Sequence, residues 1–346
     1  MIEEILNKEK KQYYLILIVL TILILGIILI SVTLGKAEIT ISESFKIIIK
    51  KIFNKNIEIA SNKEAIIWDI RMPRIISGLI IGAGLAVAGT IFQAILRNPL
   101  ADPYTIGVST GAAFGAVLTI YINIVYSLFL PIVPVAFAFS IITLFIIVKI
   151  AGFNQTLHSS RLILAGIIIS ATLSAAIGLL KSMAGEDVSA MIFWLMGNLA
   201  AKSWAQVLIL FPTITISIIL AKHFANDLDI LTLGIHEAKN VGVDSEKLVK
   251  FYLVIGAFIT AICVSISGII GFVGLVIPHL VRMSFTSKHK YLIPISALVG
   301  AIVLSLADNI TRLMFVVEIP VGVLTTLIGG PFFIYIYLNK SSGENI

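Results

Sequence analysis

A single cysteine, Cys263, is all this sequence has, and it lies inside an apolar run. That excludes an internal disulfide framework and a cysteine metal site. Charge is scarce too: Asp, Glu, Lys and Arg make up 13% of the 346 residues, against about a quarter in an ordinary soluble domain. No H-E-x-x-H pair occurs among the five histidines (158, 223, 236, 279 and 289), and there is no G-x-S-x-G. Gly35-Lys36 lacks the earlier glycine and the following Ser or Thr of a nucleotide-binding loop. The sequence therefore offers no catalytic residues, no metal ligands and no cofactor site of its own. The net charge of +6 suits a place beside anionic lipid and gives no reason to invoke nucleic acid.

What is abundant is apolar sequence. Hydrophobic residues reach 58% and mean hydropathy is +1.06. Runs of about twenty such residues, enough to cross a hydrocarbon core of about 30 Å as a helix, recur along the whole chain. The expected fold is all-α: a polytopic membrane protein forming one domain over residues 1–346. Ten spans are predicted, at 13–34, 74–95, 104–122, 131–150, 162–181, 204–221, 250–270, 272–284, 292–311 and 320–338. The eighth is too short to cross alone and is expected to be packed within protein. The first is too long for a signal-peptide core and has no small-x-small cleavage site.

Three stretches lie outside the spans. Residues 36–70 contain "SESFKIIIKKIFN", patterned as an amphipathic interfacial helix. Residues 222–249 form a second polar, helix-patterned insert. "GEDVSAMIFWLMGNLAAKSW", with Trp194 and Trp204, is expected to lie along the membrane surface. With the N-terminus inside, the 25 Lys and Arg divide 14 inside to 11 outside, a slight positive-inside bias.

The acids Asp69, Asp102, Glu186, Asp187, Asp308 and Glu318 cluster at span ends. Asp308 is the deepest, with Arg312 four residues on as an intrahelical partner. Empty span middles argue against an ion-gradient-coupled carrier, which remains the alternative. Small residues recur every fourth position at Gly107, Gly111 and Gly115, and again at Gly166, Ser170, Ser174 and Gly178. Such stripes let helix backbones approach closely, and the second, with two hydroxyls, is the candidate pathway lining. In "RNPLADP", residues 97–103, prolines stop a helix while Asn98 and Asp102 can cap free backbone groups. His279, after Pro278, reads as a packing residue.

A set of segments in fixed order resembles a known family. They are "RMPR" (71–74), "GAGLAVAGTIFQAILRNPLADPYTIGVSTGAA" (82–113), "LILAGI" (162–167), "WLMGNL" (194–199), "LTLGIHEAKNVGV" (231–243), "GFVGLVIPHLVR" (271–282), "ISALVGAIVLSLADNITR" (295–312) and "EIPVGVLTTLIGGPFF" (318–333). Together they resemble the permease subunits of ABC importers for iron-siderophores, haem and cobalamin. The resemblance implies a type II permease bundle of ten spans per subunit, paired as a homodimer with both termini cytoplasmic. It implies two cytoplasmic ATPase subunits, which use the ATP and Mg, and an extracytoplasmic substrate-binding protein. By the same resemblance Arg71, Arg74 and Arg312 receive carboxylates of the binding protein. Leu231, Gly234, Ala238 and Gly242 belong to a coupling helix on the ATPase, and "RNPLADP" sits at the cytoplasmic rim. The chain departs from the family at "FTSKHK" (285–290), where an aspartate is common, and at Asn198, where serine is common. An iron-siderophore is the implied cargo, then a corrinoid or haem, with oxyanions carried by some relatives.

Overall fold

The structure is a computed structural model that describes residues 2–35, 37, 39–55, 59–152, 159–314 and 318–343. Positions 36, 38 and 56–58 of the predicted interfacial insert, and His158, lie outside the described residues. The described chain is helical throughout, with no strand among the described residues. In order run α1 (Ile2–Thr33), α2 (Ile41–Phe53), α3 (Ser61–Ala65), a π-helical turn (Ile66–Arg71), α4 (Met72–Ile95), α5 (Val108–Tyr126), α6 (Ile132–Ala151) and α7 (Ser159–Met183). A 3-10 turn (Gly185–Val188) leads to α8 (Ser189–Leu195), α9 (Trp204–His223), α10 (Ala225–Leu233), α11 (Ile235–Asn240), α12 (Ser245–Ser267), α13 (Val273–Ser284), α14 (His289–Met314) and α15 (Val321–Gly343).

Among the described residues, eight helices are long and apolar enough to cross a membrane, judged by length and composition. The predicted eighth span is the 12-residue α13, and α15 contributes a shorter apolar stretch, Val321–Ile334. The ten predicted spans thus resolve into eight full-length ones and two shorter apolar helices. Helix caps account for the shifted ends. Asp244 accepts from the Lys247 N–H and starts α12 five residues ahead of the predicted 250. At 97–107 the chain folds as a polar turn: Asn98 Oδ1 accepts from the Leu100 N–H and Asp102 Oδ1 from the Tyr104 N–H. Gly107, at φ 86°, then opens α5 at Val108 instead of the predicted 104.

Burial ranks the helices. The apolar window of α4 is 78% buried and that of α12 likewise, whereas α1 is 17% buried and presents Leu15, Ile18, Ile22 and Leu25 outward. Central α4 packs on α14, α12, α13 and α9, with Ile81, Leu85, Ile91 and Phe92 fully buried. Its glycines make this possible. A Cβ on Gly82 would lie 2.3 Å from the Gly300 carbonyl oxygen of α14, and one on Gly89 only 1.7 Å from that of Gly274 in α13. Bare backbone faces bare backbone, so dispersion contacts form where side chains would hold the helices apart.

Two further features position the ends of the bundle. Pro73, near the start of α4, has no N–H, and the turn before it is π-helical, with the Met72 N–H reaching back to Ile67 O. Helix α2 opens with a capping box between Thr40 and Glu43. It buries Ile47 while leaving Ile41, Phe45 and Ile52 exposed, the two-sided pattern expected of an interfacial helix.

Candidate functional site

At the end of the bundle where α1 finishes and α4 begins, three arginines and a lysine gather, and one of them, Arg74, pairs with two acids. Arg74 Nε donates to both oxygens of Asp308, at 3.2 and 3.0 Å, and Nη2 donates to Oδ1 at 2.9 Å. Its Nη1 reaches Glu318 Oε2 at 2.8 Å. Asp308 is buried, whereas 43% of the Glu318 side chain is exposed. One guanidinium therefore binds a fixed carboxylate on one edge and an accessible one on another.

The other two arginines terminate α1. Arg71 donates to the carbonyls of Val32 (2.6 Å), Thr33 (3.1 Å) and Ala37 (3.0 Å). Arg312 donates to those of Ser31 and Leu34. The last carbonyls of a helix have no intrahelical partner and carry its negative dipole end, so guanidinium donors both complete the hydrogen bonding and match the charge. Lys202, just before α9, is half-buried and donates to Ile266 O at 2.8 Å. Burial first, then the positive charge of Arg74, pushes it down to about 8.

This arrangement differs from the sequence expectation in two respects. Arg71, Arg74 and Arg312 were expected to receive carboxylates of the binding protein, yet they are only 5%, 8% and 8% exposed and bind groups of their own chain. Asp308 was expected to pair with Arg312 along its own helix, but it binds Arg74 across helices while Arg312 turns to α1. A buried guanidinium needs most of its donors satisfied, and the carbonyls ending α1 are nearer partners than water. Glu318 and Lys202 are site residues that sequence reasoning missed. The signal for Glu318 was its place at the head of "EIPVGV", and for Asp308 its depth in an otherwise apolar helix.

At the opposite end, the insert after α9 is two short helices, with the break at Gly234. Its φ of 150° and ψ of 153° belong to a region that only glycine enters freely. Leu231 and Ala238 are buried against their own chain, and Gly242 lies beyond the end of α11 in the turn before α12. The coupling helix expected to carry Leu231, Gly234, Ala238 and Gly242 is therefore two helices, with Gly234 between them and Gly242 past the second. Next to it Asp229 caps the start of α14, accepting from the His289 N–H at 3.0 Å and meeting the His289 ring. The chain thus supplies a carboxylate there from α10, where "FTSKHK" itself has none. His279 packs against Phe333, as expected of a packing residue.

The small-residue stripes divide. Gly111 and Gly115 pack α5 on α6, against Thr143 and Phe139. On α7, Gly166 is buried against the Ile106 backbone and Ser170 lies beside Gly107, while Ser174 and Gly178 are exposed. Each four-residue step advances 40° beyond a full turn at 3.6 residues per turn, so the stripe winds from the packed side to the open one. The uncovered side of α7 is broad, and Ser174 and Gly178 share it with Ile167, Ile168, Ala171 and Leu179. Trp194 lies on α8, but Trp204 begins α9, where it stacks 4.8 Å from Trp68 and donates to the Trp68 carbonyl. Among the described residues no group of His, Cys, Asp and Glu could hold a metal ion.

Comparison with known proteins extends this picture. Residues 21–339 match the profile described as the FecCD transport family. The molybdate import system permease protein MolB of Haemophilus influenzae is 36% identical over 341 residues, covering 97% of this chain and 99% of that one. The cobalamin import system permease protein BtuC of Halobacterium salinarum is 36% identical over 277 residues, covering 80% and 74%. Among solved structures, an ABC transporter assigned to the metal-chelate type, in an inward-facing conformation, superposes with a TM-score of 0.81 at 33% identity. It covers 93% of this chain and 98% of its own.

Proposed function

The chain belongs to the FecCD transport family, and we propose that it is the membrane permease subunit of an ABC importer of the metal-chelate type. The observation that carries this reading is the match over residues 21–339, which takes in every helix from α2 to α14. It is a multi-pass membrane protein whose energy comes from ATP hydrolysed by separate subunits. In this reading two copies form the pathway along a two-fold axis, both termini are cytoplasmic, and a binding protein delivers cargo from outside. An iron-siderophore is the proposed cargo, followed by a corrinoid or haem. Relatives of equal identity are described as importing cobalamin and molybdate, so choice of cargo belongs mainly to the binding protein.

Docking is proposed at the Arg74 end. The partly exposed Glu318 marks where a carboxylate from the binding protein can reach Arg74 Nη1, by exchange with Glu318 while Asp308 stays bound. Arg71 and Arg312 hold α1 against this site and support it from beneath. Coupling is proposed at α10 and α11, with Leu231 and Ala238 fixing the pair to the bundle and the turn at Gly234 and Gly242 meeting the ATPase. Of the stripe Gly166, Ser170, Ser174 and Gly178, the exposed Ser174 and Gly178 are proposed to line the pathway.

The test is reconstitution in liposomes with the chain alone, with its ATPase subunits, and with the binding protein added. Uptake of the chelate that the binding protein retains is expected only in the full set with ATP. Uptake driven by a proton or sodium gradient without ATP would overturn the reading in favour of a secondary carrier.

A further inference from the structure

A cavity of about 480 Å³ lies at the N-terminal end of α1, between that helix, the α13–α14 turn and the start of α14. It goes unused by docking, pathway or coupling. Gln12, Ser284 and Thr286 give it a polar side, and Leu15, Ile16 and Ile295 an apolar one. We propose that it seats the phosphate headgroup of an anionic phospholipid from the leaflet on that side, with an acyl chain along the exposed face of α1.

Four observations fix the occupant. The cavity stands where a candidate span meets its polar end, beside a flank on which Leu15, Ile18, Val19 and Ile22 are exposed. Such a flank is a wall for an acyl chain and cannot hold a soluble ligand. Two lysines, Lys288 and Lys222, stand against its lining residues. Glu9, the one carboxylate in the lining, is neutralised by Lys288 Nζ at 2.6 Å. Lys222 has no carboxylate partner among the described residues, and its Nζ stands 6.0 Å from the centre of the Tyr13 ring. A lysine without a carboxylate beside a span attracts anionic headgroups, whereas a quaternary ammonium would meet repulsion there. Finally, Tyr13 lines the cavity at 7% exposure, and its buried hydroxyl has no hydrogen-bond partner among the described residues. A phosphate oxygen supplies the acceptor such a group needs. The inference goes beyond the transport reading and holds whatever the cargo.

The test uses the purified full chain in phosphatidylcholine vesicles carrying a trace of spin-labelled phosphatidylglycerol or spin-labelled phosphatidylcholine. The immobilised fraction gives the relative affinity. A preference of roughly fivefold for phosphatidylglycerol is expected, since one lysine near the surface contributes about that factor. Lys222→Gln should reduce it. Ser284→Phe, which fills the cavity and leaves every lysine in place, should abolish it, and Thr286→Leu serves if that variant does not fold. Ser284→Ala, which keeps the space open, should retain it. Equal affinities in the wild type overturn the proposal. A preference that survives cavity filling assigns it to diffuse surface charge, and loss of bound lipid label in millimolar inorganic phosphate assigns the site to a soluble anion; either result also overturns it.

Discussion

Arg74 and Asp308, 234 residues apart in the chain, are joined by three hydrogen bonds in the buried end of the bundle. The pair locks α14 to α4 at the place where α1 is also tied down. Removing Asp308 leaves the buried guanidinium with only the partly exposed Glu318, and breaking a buried pair from one side costs far more than the intact pair contributes. Asp308→Ala is therefore expected to lower stability by about 3–5 kcal/mol, read from thermal unfolding of the detergent-solubilised chain by circular dichroism. Replacing both residues, Arg74→Met with Asp308→Leu, should recover most of that loss. If Asp308→Ala alone melts like the wild type, the pair is not a structural lock.

The crossing of α4 and α13 gives a second prediction. A methyl group at Gly89 would sit 1.7 Å from the Gly274 carbonyl oxygen, and backbone cannot swing aside as a side chain can. Gly89→Ala should force the two helices apart and destabilise the fold by roughly 1–3 kcal/mol, the usual range for overpacking. Equal melting temperatures for Gly89→Ala and wild type would contradict the close crossing.

Gly234 separates α10 from α11 with a backbone that an L side chain rarely adopts. Gly234→Ala should cost roughly 1–3 kcal/mol of local strain and redirect α11. In proteoliposomes with the ATPase subunits, hydrolysis should continue while uptake per ATP falls. Unaltered coupling in a folded variant would remove the turn from the energy-transfer route.

Lys202 supplies a pH test. Its value in the folded chain, about 8, lies below the ordinary 10.5 because burial and Arg74 disfavour the charged form, with Asp308 opposing them. Between these values the unfolded chain binds more protons than the folded one, so stability rises with pH across that window. Wild-type melting temperature should therefore climb from about pH 8 upward relative to Lys202→Met, which lacks the titrating group. Parallel curves for the two proteins would show that Lys202 keeps its ordinary value.

The sequence by itself determined the class and most of the elements. Apolar runs long enough to cross a bilayer must form helices, because backbone groups have no water to bond with there. Local chemistry likewise marked the break at 97–103, since Pro99, Pro103, Asn98 and Asp102 act within a few residues of themselves. What only the tertiary structure decided was which groups meet. Arg71 and Arg74 are three residues apart, yet one caps α1 and the other grips α14. Asp308 has Arg312 within helical reach but takes Arg74 from another helix. The same holds for the four-residue stripes, where spacing alone does not say that Gly166 is packed and Gly178 open. Spacing along the chain fixes a helix face only over a turn or two. Beyond that, the partner of a buried charge is whatever the packing brings within hydrogen-bond distance, and desolvation makes that choice decisive.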